Sequence, residues 1–168
     1  YYARSNSVEK DYLVKELNLK DMVQKAVRSN ARIMVSNKIK ISMNNLDQKI
    51  FSDEKWLLFI LNQIISNAVK YKKEDPQISF EARQSTNQIF LEIRDNGIGI
   101  AAKDLPRVTD KGYTGTTGRN YEKSTGMGLY LCKKLCDKLQ LSFKIESKEE
   151  EYTIVTIGFP RSSMIFLN

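Results

Sequence analysis

Four stretches of the chain carry residue types and spacings that could do chemistry: WLLFILNQIISNAVKY (56–71), RDNGIGI (94–100), VTDKGYTGTTGRN (108–120) and STGMGLYLCKKL (124–135). In the first, Gln63, Asn67 and Lys70 fall at i, i+4 and i+7 and share one helix face, beside an apolar stripe of Ile60, Ile64 and Ala68. A line of amide, amide and ammonium is either a solvated face or a metal–phosphate site. In the second case the Asn67 amide oxygen would ligate Mg²⁺ and Lys70 would meet a phosphate oxygen. RDNGIGI looks at first like a phosphate loop, yet it opens with Asp95, a carboxylate that should repel phosphate. No GxxxxGK[ST] occurs, so a P-loop is excluded, and RDNGIGI lacks the third glycine and following long helix of a dinucleotide-binding turn. Gly126-Met127-Gly128 is better placed for an anion, because it precedes a helix whose first-turn N–H groups would point at it. Any one of these glycine pairs taken singly is equally an ordinary turn or cap.

The bulk properties restrict the setting for this chemistry. A chain of 168 residues suits one domain with one hydrophobic core. The longest apolar run, Trp56 to Leu61, is far short of a membrane span, and the amino end, YYARSNSVEKDY, is polar and no signal peptide. That end starts mid-pattern, as a piece cut from a longer chain would. The net charge of +7 permits an acidic partner, but the lysines are scattered and no basic block alternates with aromatics. A Lys-rich surface is expected, with no nucleic-acid partner and no membrane contact. There is no histidine, which excludes His-based acid–base catalysis within the chain. Cys132 and Cys136, four apart in a helical pattern, lack the company for a zinc site and are expected to be reduced thiols.

The elements that must position these residues can be read from periodicity. KELNL (15–19) and KIF (49–51) predict short strands, and KIKISM (38–43) alternates as another. Apolar residues over 20–36 keep roughly helical spacing. Ser52 is the predicted N-cap of a helix running to about Lys73, with Asp53 and Glu54 in its first turn and Pro76 beyond. ISFEARQ (78–84) and IFLEIRD (89–95) predict a hairpin. Seven of the eight glycines fall between Gly97 and Gly128, marking a long, functional loop with room for a short helix near 101–106. Ser124–Thr125 could cap a helix over 126–139, and LSFKIES (141–147) with YTIVTIGF (152–159) predicts a final hairpin.

An Asn-bearing helix, an Asp-x-Gly-x-Gly turn, a Gly/Thr-rich loop and a GxG helix start, in this order, resemble the N, G1, F and G2 boxes of the GHKL ATP-binding fold. More narrowly, residues 15–160 look like the catalytic and ATP-binding domain of bacterial sensor histidine kinases. NQIISNAVKY, DKGYTG and the opening twelve residues are most similar to the bacitracin- and antimicrobial-peptide-sensing kinases of Gram-positive bacteria. The resemblance implies an α/β two-layer sandwich, with a mixed, mainly antiparallel sheet on about three helices. Residues 1–14 would be the end of a preceding dimerisation and phosphoacceptor segment, 15–162 the ATP-binding domain, and 163–168 a tail.

The resemblance also implies roles. Asn67 would ligate Mg²⁺, Lys70 contact phosphate and Tyr71 pack against adenine. Asp95 would accept a hydrogen bond from the adenine amino group, which explains its acid: a carboxylate only accepts, and the amine donates. Gly97, Gly99 and Ile100 would turn the backbone around the base, while Gly126, Met127, Gly128 and Leu129 line the triphosphate. Thr153 falls near the family's threonine beside adenine, although Tyr152 stands where a glycine is usual. In the F box Val108 and Thr109 replace aromatics, leaving Lys111, Tyr113 and Arg119 as lid contacts. Hydrolysing relatives place a glutamate one turn before the Mg²⁺ asparagine; here that position is Gln63, a poor proton acceptor. Transfer of the γ-phosphoryl group to a supplied histidine is therefore expected rather than hydrolysis. The implied partners are that histidine's helices in the homodimeric full-length protein, a response regulator, and an ABC transporter, this fragment being a monomer. The setting is the cytoplasmic side of a membrane-anchored sensor. The alternative is another GHKL protein, an anti-sigma serine kinase or an ATP-driven clamp.

Overall fold

In the computed structural model, residues 12–112 and 128–161 are described. Along them run β1 (Lys15–Asn18), α1 (Leu19–Ser29), α2 (Ala31–Ser36), β2 (Lys40–Asn44), β3 (Lys49–Ser52) and α3 (Glu54–Lys70). There follow β4 (Gln77–Gln84), β5 (Gln88–Asp95), a single 3₁₀ turn (Leu105–Arg107), α4 (Gly128–Lys138), β6 (Ser142–Lys148) and β7 (Tyr152–Pro160). The main sheet has the order β2–β4–β5–β7–β6, with β2 and β4 parallel and every other pair antiparallel. β1 and β3 pair separately as a two-stranded antiparallel ribbon.

Period-two alternation explains which face of the sheet is covered. Ile78, Phe80 and Ala82 of β4, Ile89, Leu91 and Ile93 of β5, and Val155, Ile157 and Phe159 of β7 are all buried. Between them lie exposed or half-buried residues such as Ser79, Glu81, Arg83, Glu92 and Arg94, on the open face. The buried face packs on α3, which is apolar around most of its circumference: Trp56, Leu57, Ile60, Leu61, Ile64, Ile65, Ala68 and Val69 are all buried. A helix so enclosed needs neighbours on its flanks as well, and α1 and α4 supply them. Fully burying each large side chain contributes about 1.5–3 kcal/mol, so this layer dominates the stability of the fold.

The expected two-layer sandwich is present, with four differences of detail. The helical stretch 20–36 is two helices, broken at Asn30. The Asn30 side chain donates to the Ala26 carbonyl at 2.8 Å and to Asn62 Oδ1 on α3 at 2.9 Å, closing the end of α1. Counting this break, four α-helices rather than three stand among the described residues. The cap of α3 is Asp53 instead of Ser52: Asp53 Oδ1 accepts from the Trp56 N–H at 2.9 Å, while Ser52 is held in β3 opposite Lys15. α3 ends at Lys70 with Tyr71 as C-cap, short of Lys73, and the helix near 101–106 is only the 3₁₀ turn at Leu105–Arg107.

Candidate functional site

The base-reading candidates converge at one end of the sheet. The register sets Asp95, the last residue of β5, opposite Thr153 of β7 and Ile78 of β4, continuing the inward phase of Ile93. Beyond it the chain turns sharply. The Gly97 N–H donates to Asp95 Oδ1 at 2.9 Å, the Ile98 N–H to the Tyr71 carbonyl at 3.0 Å, and the Glu150 N–H to the Ile98 carbonyl at 2.6 Å. Asn96 secures the outside of the turn: its Oδ1 accepts from the Gln77 N–H at 2.8 Å and its Nδ2 donates to the Asp75 carbonyl at 3.1 Å.

Two glycines are required by this crossing. A Cβ on Gly97 would stand 2.5 Å from the Tyr71 carbonyl oxygen. Gly99 has φ +69°, and a Cβ there would run into the carbonyl of Lys148. The loop 96–100 is therefore wedged between the end of α3 and the β6–β7 turn, and only residues without side chains fit at its two tightest points. The Ile100 N–H then donates to Ser147 Oγ at 2.8 Å.

This enclosure changes Asp95. Loss of water raises its pKa from 3.8 to about 6, and the Gly97 N–H bond, which favours the carboxylate, offsets only part of that. A carboxyl that pays for burial without a cationic partner in the described residues is poised for an incoming donor. Asp95 also borders a cavity of about 230 Å³ on the open side of the sheet, with Lys40, Ser42, Ser79 and Arg94. That cavity lies away from α3 and α4 and holds no other candidate residue.

The second group lies along α3. Gln63, Asn67 and Lys70 are half-buried on the helix, and the C-cap residue Tyr71 donates its N–H to the Asn67 carbonyl at 3.1 Å. The Lys70 ammonium sits 5.3 Å from the centre of the Tyr71 ring. Gln63 marks the other end of the group: its Oε1 lies 2.8 Å from where a Cβ on Gly128, the first residue of α4, would be. Eight residues at 1.5 Å of rise separate Gln63 from Tyr71, about 12 Å along the axis. One end of this face thus adjoins the start of α4 and the other adjoins Gly97.

Of the candidates, Gln63, Asn67, Lys70 and Tyr71 lie along α3 and its C-cap, Asp95, Gly97, Gly99 and Ile100 at and beyond the end of β5, Gly128 and Leu129 at the start of α4, and Thr153 on β7 opposite Asp95. Lys111 is exposed on a turn beyond Val108 and Thr109. Tyr113, Arg119, Gly126 and Met127 lie outside the described residues, as do residues 1–11 of the proposed linker and the cap at Ser124–Thr125. Cys132 and Cys136 are free and buried on the core side of α4, and burial pushes Cys136 up to about 12, a packing role for an inert thiol. Ser147, Asn96 and Ile98 were not anticipated. Ser147 had a signal: in β6 the inward phase runs Phe143, Ile145, Ser147, a hydroxyl where an apolar residue is expected.

Comparison with known proteins identifies the family and the fold. The sequence profile of the histidine kinase-, DNA gyrase B-, and HSP90-like ATPase family matches residues 52–163. The chain is 34% identical over 161 residues to the sensor histidine kinase YxdK of Bacillus subtilis, covering 95% of this chain and 50% of that protein. It is 36% identical over 157 residues to the sensor protein BceS of the same organism, covering 94% and 47%. For the sensor protein kinase GraS of Staphylococcus aureus the identity is 33% over 166 residues, covering 98% and 48%. The chain thus spans about half the length of these relatives. Among solved structures, the catalytic domain of histidine kinase ThkA superimposes with a TM-score of 0.76 at 17% identity, covering 89% of this chain and 98% of that one. The mycobacterial sensor histidine kinase MprB gives 0.76 at 16%, covering 87% and 97%. At such identities the likeness is one of fold.

Proposed function

We propose, for a chain that belongs to the histidine kinase-, DNA gyrase B-, and HSP90-like ATPase family, that it is the ATP-binding catalytic domain of a sensor histidine kinase. The observation that carries the reading is the Asp95 carboxylate. It is pinned through one oxygen by Gly97, partly desolvated, and set opposite Thr153 beside a glycine-lined crossing. An acceptor-only group held in this way suits an exocyclic amine, as adenine carries.

The residues present fit ATP and Mg²⁺. ATP supplies the γ-phosphoryl group, and Mg²⁺ neutralises phosphate charge. Asp95 would accept from the base amine, and the 97–100 backbone would close on the ring. Tyr71 would pack against the ring from the end of α3. Asn67 would offer its amide oxygen to Mg²⁺ and Lys70 its ammonium to phosphate oxygens, and the N–H groups at Gly128 and Leu129, at the start of α4, would meet the same charge. Gln63 could orient a group but not take its proton, which favours transfer over hydrolysis. The acceptor would be a histidine outside these 168 residues, which contain none. The kinase names of the relatives support phosphotransfer, and a response regulator as the downstream partner, over a serine kinase or a clamp. Membrane anchorage, homodimerisation and work beside a peptide-handling ABC transporter belong to the same proposal. Among the described residues no helix is long and apolar enough to cross a membrane.

Calorimetric titration of the chain with a non-hydrolysable ATP analogue, with and without Mg²⁺, tests the reading. The wild-type chain should bind more tightly with Mg²⁺. Asn67→Ala should lose that gain, about tenfold or more in affinity, and be little changed in its absence. A wild-type chain that takes up no nucleotide would sink the proposal.

A further inference from the structure

The Ser147 hydroxyl makes three contacts, and its single proton fixes how they must be used. Ser147 Oγ lies 2.7 Å from the carbonyl oxygen of Tyr152, 2.8 Å from the Ile100 backbone nitrogen and 3.0 Å from Thr153 Oγ1. A hydroxyl has one O–H to give and two lone pairs to receive with. The Tyr152 carbonyl can only accept, so it takes the Ser147 proton. The Ile100 N–H can only donate, so it occupies one lone pair. At the third contact the remaining partner must donate, and the Thr153 hydroxyl proton is thereby directed at Ser147. Thr153 is left with lone pairs alone for anything that enters the site.

We infer that Ser147 is a positioning residue that holds the Thr153 hydroxyl as an acceptor and so sets which base edge the site takes. The inference rests on the ATP reading given above. Asp95 stands directly opposite Thr153 in the strand register, and one of its oxygens already accepts from Gly97. With Thr153 also reduced to an acceptor, both side chains at this place present lone pairs. Such a pair suits a 6-amino group, which brings two N–H donors. It disfavours a 6-keto group, whose oxygen would face acceptors with no proton to share. Ser147 need not touch the base. It acts through the orientation of Thr153, and through Ile100 it ties the same choice to the loop that Gly99 turns.

The test is the ratio of ATP to inosine triphosphate affinity, measured by calorimetry on the wild-type chain and on Ser147→Ala, Ser147→Cys and Ser147→Thr. Without a strong acceptor at position 147, the Thr153 hydroxyl can rotate and donate to a 6-keto oxygen. Ser147→Ala and Ser147→Cys, the second of which preserves the volume, should each narrow the ATP preference about tenfold. Ser147→Thr keeps the hydroxyl and should hold the ratio near wild type. In a Thr153→Val background, Ser147→Ala should leave the ratio unmoved. Equal weakening of both nucleotides in Ser147→Ala and Ser147→Cys would mean that Ser147 only braces the fold, and the inference would be overturned. A change of ratio that survives in the Thr153→Val background would overturn it as well. A wild-type chain that binds neither nucleotide removes the ATP reading itself, a failure visible before any variant is compared.

Discussion

Asp95→Asn is expected to weaken ATP binding about 100-fold and to abolish its dependence on pH. The substitution keeps the shape of the side chain but replaces an acceptor with an amide that can present N–H groups to the adenine amine. A lost charge-assisted hydrogen bond costs about 1.5–3 kcal/mol, and the buried amine left facing a donor puts the loss at the upper end. The pH profile separates this from general damage. The folded free chain holds the Asp95 proton up to about pH 6 because burial disfavours the carboxylate. The amine of the ligand favours the carboxylate, so binding must expel the proton. Affinity should therefore be full above pH 6 and fall by up to tenfold for each unit below it, with a proton released on binding near pH 6. The same raised pKa acts on folding with the opposite sense. Its contribution to stability is present below the unfolded value of about 4 and is lost as pH rises through 6, where the ionised, desolvated group opposes folding. Asp95→Asn should remove both slopes, and titrations between pH 5 and 8 would show whether it does. A variant retaining the wild-type slope would assign the proton to another group.

Gly99→Ala should lower the stability of the chain by about 3 kcal/mol, roughly 10 °C in Tm, and remove nucleotide binding. Two terms add. The left-handed backbone at φ +69° costs an alanine about 1–2 kcal/mol. The methyl group also meets the Lys148 carbonyl, which belongs to a paired strand and cannot simply swing aside. Relieving that clash strains the Glu150–Ile98 and Ile100–Ser147 bonds, each worth about 1 kcal/mol. Gly112→Ala separates the two terms. Gly112 has φ +76° and, among the described residues, no atom within 4 Å of the place a methyl group would take, so it should cost only the backbone term, about 1 kcal/mol. Thermal unfolding of the two variants side by side gives the comparison; equal losses would show that the contact with Lys148 carries no weight.

Much of this architecture was legible along the chain because it depends on local periodicity. The alternation of β4, β5 and β7 and the long apolar α3 could be read directly, and so could the Asp-x-Gly-x-Gly turn, whose glycines lie close to the acid they serve. What could not be read depends on residues far apart in sequence. Ser52 and Asp53 are both good caps, and pairing of Ser52 with Lys15 in β3 decides between them. The break at Asn30 reflects a partner, Asn62, that is 32 residues away. The length of α3 is set where Tyr71 meets Ile98, and neither residue announces that contact. Ser147 shows the limit most clearly. Its polar side chain on the apolar phase of β6 was visible, but its purpose depends on Ile100, Tyr152 and Thr153, which only the folded sheet brings together.

The crossing of residues 71, 98 and 148–150 also bears on how the protein folds. None of these contacts is available to a short segment, because each joins parts of the chain separated by a helix, a hairpin or the whole α4 region. The strand that carries Asp95 could pair with β4 early, by closing a tight turn, yet the cradle around its carboxylate cannot exist until β7 has inserted between β5 and β6. Such late, long-range closure favours slow, cooperative assembly. Nucleotide capture is then a property of the finished chain, and ligand present during refolding should stabilise the end state while leaving the earliest steps at their own pace.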